Sequence, residues 1–174
     1  MNETNLAHPL LREQAKSMIA PRTVIAYVEH KGNSEGDGKI YDTLIERLLL
    51  WAEPAKLWIF PSKTRLYMIY PDDPERTPEE QRRLWLGINV PEETEVSGEV
   101  RKMVLPETLC AMGAFEMNAS EFGRAWEYLL AEWMPENGFL PAEGYCFEMQ
   151  TNDSCEHPEH KHLVDIFIPA KRLL

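Results

Sequence analysis

Gly144-Tyr145-Cys146-Phe147-Glu148-Met149-Gln150-Thr151-Asn152-Asp153 sets one carboxylate inside a run that otherwise reads as a buried strand. Aromatic and β-favouring residues lead in, and Asn152-Asp153 closes the run with turn chemistry. Alternation at period two puts Cys146, Glu148 and Gln150 on one face and Tyr145, Phe147 and Met149 on the other. Such a carboxylate either points into water, the commoner arrangement in half-buried antiparallel strands, or lines a concave site where it meets a cation or a hydrogen-bond donor. The strand alone leaves both readings open.

The elements around this strand repeat an order already used in the first half. Thr23–Val28 reads as a strand, and Lys31–Gly38 as a glycine-rich loop with Asp37 as helix N-cap. A helix follows over about Gly38–Glu53, with Ile40, Leu44, Leu48 and Trp51 on its apolar stripe and Pro54 as its stop. Arg65–Tyr70 and Arg83–Val90 then read as strands. In the second half, Glu99–Leu105 and Thr108–Met117 are strands. Ser120 caps a helix striped by Phe122, Ala125, Trp126, Leu129 and Trp133, stopped by Pro135 and Gly138, and Tyr145–Gln150 and Leu163–Ile168 complete the set. Met68–Pro78 lies over Glu148–Pro158 at a constant offset of 80, matching Asp73 with Asp153 and Pro78 with Pro158. Leu86–Pro91 likewise lies over Val164–Pro169. The expected architecture is α+β, a tandem of βαββ units with antiparallel sheets, over halves of about 21–94 and 95–174 behind an N-terminal extension of 1–20.

Within the 174 residues, eighteen basic against twenty-nine acidic side chains give a formal charge of −11. That field repels nucleic acid, so no direct DNA or RNA contact is expected. Cys110, Cys146 and Cys155 show no CxxC spacing and read as reduced thiols of a cytoplasmic protein. Met1–Ala20 carries Glu3, Arg12, Glu13 and Lys16 and is neither a signal peptide nor a membrane span, and no membrane partner is expected. Pro9–Ile19 is compatible with one short amphipathic helix, too short for a DNA-binding module.

Arg22–Val28, Tyr70-Pro71-Asp72-Asp73-Pro74, Ser97–Val100, Glu132–Pro135, Phe147-Glu148-Met149, Asn152-Asp153 and Asp165–Pro169, in that order, resemble the GyrI-like small-molecule-binding family. The same domain is the effector-binding part of some AraC-type and MerR-type multidrug-responsive regulators. The resemblance covers about residues 21–170. It implies a pseudo-two-fold pair of βαββ units with a central ligand cleft, and a glutamate corresponding to Glu148 that pairs with lipophilic cations among aromatic side chains. DNA-binding members carry a helix-turn-helix domain ahead of this one, so the chain is expected to be a stand-alone pocket protein. Phe167 stands where the family often has tyrosine, and Lys31-Gly32-Asn33-Ser34 replaces a Gly-Pro-Tyr type of turn.

The expected partner is therefore an amphipathic, cationic small molecule. Glu148 would select charge, and Phe167, Trp85, Tyr27, Tyr67 and Phe115 would supply aromatic surface. Phe167 heads the aromatics because its strand should pair with that of Glu148. Trp51, Trp126 and Trp133 are assigned to the core with the helical stripes, and Tyr145 and Phe147 to the core on the face opposite Glu148. Cys155, His157, His160 and His162 lie close together but match no structural zinc pattern, so neither metal nor cofactor is expected. The histidines sit apart from any nucleophile, which leaves a triad without a base, although a pocket glutamate could still activate water in a hydrolase. A protein partner also stays open, because the family takes its name from an inhibitor of DNA gyrase.

Overall fold

The computed structural model describes residues 10–33 and 38–173. Asp37, expected as the N-cap of the first helix, lies outside them. Contacts divide the described chain into two units, residues 22–106, and residues 107–173 with 10–21.

In the first unit β2 (Thr23–Lys31) leads to α1 (Gly38–Ala52), then β3 (Leu66–Tyr70) and β4 (Arg83–Asn89). β4 lies between β2 and β3 and is antiparallel to both. In the second unit β6 (Thr108–Met117) is followed by a helical segment, then β8 (Cys146–Gln150) and β9 (His162–Arg172), with β9 between β6 and β8. Both units are thus βαββ modules with one strand order. Each gains a flanking strand: β5 (Arg101–Leu105) adds to β2, and β1 (Lys16–Ala20) adds to β6. β7 (Phe139–Pro141) pairs with the far end of β9.

The apolar stripe of α1 explains the first core. Leu44, Leu48 and Ala52 recur every four residues and are buried against Val24, Ala26 and Val28 of β2, Met68 of β3, and Leu86 and Ile88 of β4. Each large apolar side chain buried this way contributes about 1.5–3 kcal/mol. The second core has the same plan, with Ala125, Leu129, Trp133 and Met134 over Ala111, Phe115, Val164, Ile166 and Ile168.

The second helical segment runs as α2 (Phe122–Glu127), a π-helical stretch at Tyr128–Trp133, and a closing turn α3 (Met134–Glu136). Successive residues of a straight α-helix point about 100° apart. The wider π turn re-phases the stripe, and Trp133 and Met134 are both buried. A 3-10 turn at Ala119–Glu121 leads into α2, and the cap of that turn is Asn118, not Ser120 as expected. Glu121, three residues on, returns a carboxylate to the Asn118 backbone N–H at 2.8 Å, a reciprocal capping box that Ser120 cannot form.

The helix expected over Pro9–Ile19 does not form in its described part. Lys16–Ala20 is a strand on β6, and Arg12 N–H and Glu116 N–H exchange bonds with Ala114 and Leu10 carbonyls at 2.9 Å. The ten-residue β6 would otherwise present an open row of donors and acceptors, and satisfying that row outweighs a weak local helical preference.

Gly87 of β4 sits between Tyr27 and Tyr67 across the sheet. A Cβ there would come within 2.5 Å of the Ala26 carbonyl oxygen and 2.6 Å of Ile25 Cγ2. Gly87→Ala should cost about 1–3 kcal/mol, because backbone cannot yield as a side-chain tip can. A lowered urea midpoint with unchanged slope would show it, and an unchanged midpoint would refute it.

Candidate functional site

In the second unit, strand alternation separates two chemistries. Toward the helical segment point Cys146 and Glu148 of β8, Phe115 of β6 and Ile166 of β9. The opposite face carries Phe147, Phe167 and Asp165. Glu148 is 4% exposed, and the indole Nε1–H of Trp126 donates to its Oε2 at 2.5 Å. The Asn118–Glu121 box starts the helix and sets the phase that brings Trp126 over β8. Trp126 packs against the core as its stripe position predicted, but its polar tip, which periodicity does not report, is a carboxylate partner.

The β8–β9 pairing on which the choice of Phe167 rested is present, but its register places Phe167 opposite Phe147 and Ile166 opposite Glu148. Phe147 and Phe167 stack at 4.7 Å with planes 12° apart, on the face away from Glu148. Phe115 is fully buried on the Glu148 side of the sheet, within the core. The stack has a carboxylate of its own. Asp165 lies two residues before Phe167 on the same face, paired with Met149 and bonded to the Arg12 guanidinium at 2.6 Å. Burial pushes the Asp165 carboxyl above its ordinary range, against the opposing pull of Arg12. Sequence reasoning did not single out Asp165. The period-two argument applied to Glu148, carried onto the last strand, would have found it.

In the first unit Tyr27, Tyr67 and Trp85 share the face turned away from α1, each 7% exposed. Tyr27 and Trp85 stack at 4.5 Å, and the Trp85 indole donates to Glu29 Oε1 at 2.8 Å. The Arg83 guanidinium lies 5.4 Å from the Trp85 ring centre and is gripped by Asp72 through Nη2 at 2.8 Å and Nε at 3.1 Å. Those bonds hold the Asp72 carboxyl below its usual range, and burial raises the Tyr67 phenol. This aromatic face already holds a cation of the protein's own.

Register makes the units comparable position by position. Met68↔Leu86 and Ile69↔Trp85 in β3–β4 correspond to Glu148↔Ile166 and Met149↔Asp165 in β8–β9. Glu148 therefore stands where the first unit buries Met68, and Asp165 where it has Trp85. The offset of 80 between β3 and β8 holds. The expected overlay of Leu86–Pro91 on Val164–Pro169 is corrected by two residues, since register pairs Leu86 with Ile166. Alternation has period two, so a two-residue shift leaves the hydrophobic pattern almost unchanged.

The histidine loop disperses its side chains. His157 Nε2 meets Glu116 Oε1 at 3.2 Å, while His162 Nδ1 lies 3.2 Å from Gln150 Nε2 and packs at the edge of Phe122. Among the described residues no three of His, Cys, Asp and Glu gather as a metal site. No described helix is long and apolar enough to cross a membrane.

Comparison with known proteins adds to this geometry. The profile of the GyrI-like small molecule binding domain matches residues 18–171. A DNA gyrase inhibitor of Yersinia enterocolitica serotype O:8 is 24% identical over 152 residues, 85% of this chain and 88% of that relative. The crystal structure of the EcmrR C-terminal domain superposes with a TM-score of 0.71 at 16% identity, covering 92% of this chain and 98% of that one. SAV2435, solved bound to tetraphenylphosphonium, gives a TM-score of 0.58 at 9% identity over 90% of this chain and 93% of that one. At these identities the two structures show a shared fold.

Trp126→Phe removes the indole donor and should cost about 1–3 kcal/mol, whereas Glu148→Gln retains an acceptor oxygen and should cost less. A double-mutant cycle with Glu148→Leu should give a coupling of about 1 kcal/mol or more by urea denaturation, and strict additivity would show that the contact contributes nothing. Burial also holds the His162 pKa below its ordinary 6.5. The unfolded chain takes the proton first, so this contribution to stability is complete above 6.5 and is lost as pH falls below it. His162→Gln should flatten that part of the stability–pH curve.

Proposed function

Because the chain belongs to the family of GyrI-like small molecule binding domains, we propose that it binds amphipathic cationic molecules. The Phe147–Phe167 stack would serve as platform, with Asp165 and Glu148 as the charges that select the ligand. The observation that carries this reading is the pair of adjacent registers, Phe147↔Phe167 and Met149↔Asp165, which set a half-buried carboxylate beside an aromatic stack. A soft organic cation gains about 0.5–2 kcal/mol from each aromatic face and about 25 cal/mol for each Å² of apolar surface it buries. Affinity then comes from area, and the carboxylates discriminate by charge. Asp165 meets the cation directly, exchanging its partner Arg12 for the ligand. Glu148 acts from the other side of the sheet, since the indole of Trp126 is neutral and leaves the carboxylate charge in place. Tyr27, Tyr67 and Trp85 form a second candidate surface, where a ligand cation competes with Arg83.

The tetraphenylphosphonium carried by SAV2435 is a ligand of this type, which supports a role in sensing or sequestering such compounds in the cytoplasm. The Yersinia relative, named a DNA gyrase inhibitor, supports a second reading in which the chain docks on a protein. A gyrase complex that forms equally well with Asp165→Asn and Glu148→Gln would favour it.

Calorimetric titration with tetraphenylphosphonium and with neutral triphenylphosphine oxide separates charge from area. Asp165→Asn and Glu148→Gln should each weaken the cation about tenfold, or about 1.4 kcal/mol, and leave the neutral compound nearly unaffected. Phe167→Ala should weaken both. Equal loss for the two compounds would sink charge selection, and absence of binding to wild-type protein would sink the reading itself. A cation favours ionised Asp165, so its affinity should decline as pH falls through that group's raised pKa. The same raised pKa means that the folded chain holds the Asp165 proton to higher pH than the unfolded one, so this group's contribution to stability should fall as pH rises from its ordinary range through the raised pKa, and Asp165→Asn should remove that dependence.

A further inference from the structure

Arg12 reaches Asp165 through a departure from regular pairing in the second unit. Leu11 bridges to Phe115 and Lys16 pairs with Met112, so five steps of the N-terminal segment face three steps of β6. The two extra residues make 12–15 a bulge, a device that re-aims side chains. Leu10 and Leu11 before it and Ala15 at its end are buried in the second core, so the segment is pinned on both sides of Arg12. The Arg12 N–H bonds to the Ala114 carbonyl at 2.9 Å, and Ala114 stands opposite Asp165 on β9. Alternation turns Leu11 to the core and Arg12 to the other face, where its guanidinium crosses the Ala114 position to meet the carboxylate.

This ion pair can open without unfolding the segment that carries it. The Arg12 and Asp165 side chains are 31% and 17% exposed, so a displaced guanidinium has water to enter, and Leu10, Leu11 and Ala15 stay buried as it leaves. Burial raises the Asp165 carboxyl, Arg12 is the stronger of the two cations that pull it down, and Lys16 is the weaker. A carboxylate already held by a cation of the chain lowers the affinity of every external cation by the same factor, because only the state with Arg12 displaced is competent. A small cation that brings charge alone exchanges one ion pair for another. An amphipathic one adds apolar area on the Phe147–Phe167 stack, two residues along β9 from Asp165, and so passes the threshold.

We propose that Arg12 is a built-in competitor for Asp165 and thereby a specificity-determining residue, which admits a cation only when the ligand also brings apolar area. The inference rests on the cation reading above and adds to it a threshold set by the chain itself. Arginine suits this part, since its guanidinium stays charged at any working pH and is more weakly hydrated than an ammonium.

The test titrates wild type, Arg12→Gln and Arg124→Gln by calorimetry with tetraphenylphosphonium, the smaller cation phenyltrimethylammonium and neutral triphenylphosphine oxide. The pH is one at which carboxylate NMR shows Asp165 ionised in all three proteins. Arg124 is exposed on α2, and its replacement changes the net charge equally. Arg12→Gln, checked for folding by thermal melting, should bind both cations at least about fivefold more tightly and by a similar factor, with no gain for the neutral compound. Arg124→Gln should bind as wild type does. In wild-type protein the Arg12 guanidinium resonances should move to those of a solvated arginine as tetraphenylphosphonium saturates, a readout that stands even if the variant fails to fold. Cation affinity in Arg12→Gln no higher than in wild type, an equal gain in Arg124→Gln, or Arg12 resonances unchanged at saturation would overturn the proposal. Binding to wild type without the gain defeats this inference alone, whereas no tetraphenylphosphonium binding to either wild type or Arg12→Gln defeats the cation reading and this inference with it.

Discussion

The antiparallel register of β8 on β9 is the constraint on which the second unit depends. Setting Glu148 against Ile166 and Phe147 against Phe167 sends one pair under the helical segment and the other to the opposite face. A slip of one residue would turn the phenylalanines into the core and expose Ile166. The burial of Val164, Ile166 and Ile168 therefore holds the aromatic stack and Asp165 in place, although none of those aliphatic residues touches them as a ligand would.

The buried carboxylate is costly within that frame. Removing a carboxylate from water costs several kcal/mol unless hydrogen bonds replace the lost solvation. At the equivalent position of the first unit the same fold buries Met68, with no such penalty. The helix above Glu148 is built to answer its carboxylate, with a capping box that fixes the start, a π turn that re-phases the apolar stripe, and Trp126 presenting its N–H. Sheet and helix are coupled at this point by a polar contact as well as by packing.

One element order thus carries different polar groups in its two copies. In the first unit the aromatic face contains a guanidinium, Arg83, tied to Asp72, and the helix face buries Met68 at the position equivalent to Glu148. In the second unit the aromatic face has Asp165, tied to Arg12, and the helix face has Glu148. Packing requires only that alternate positions be apolar, so the remaining positions are free to take either sign of charge without a change of fold.

The sequence by itself determined the element order, most strand and helix spans, the duplication and the family, because these depend on local periodicity and on motifs a few residues long. Gly38–Ala52 and the strands Leu66–Tyr70 and Cys146–Gln150 fall within a residue or so of where alternation and stripe put them. It also showed that Glu148 was unusual, a carboxylate between apolar neighbours. Tertiary structure decided which face was which. Alternation divides a strand into two sets but does not say which set meets the helix, and it is insensitive to shifts of two residues, so the companionship of Glu148 with Trp126, and of Phe167 with Phe147 and Asp165, waited on the register. The strand at Lys16–Ala20 was decided in the same way, by an open edge on β6 far along the chain, Lys16 pairing with Met112 and Ala20 with Thr108, that no local window contains.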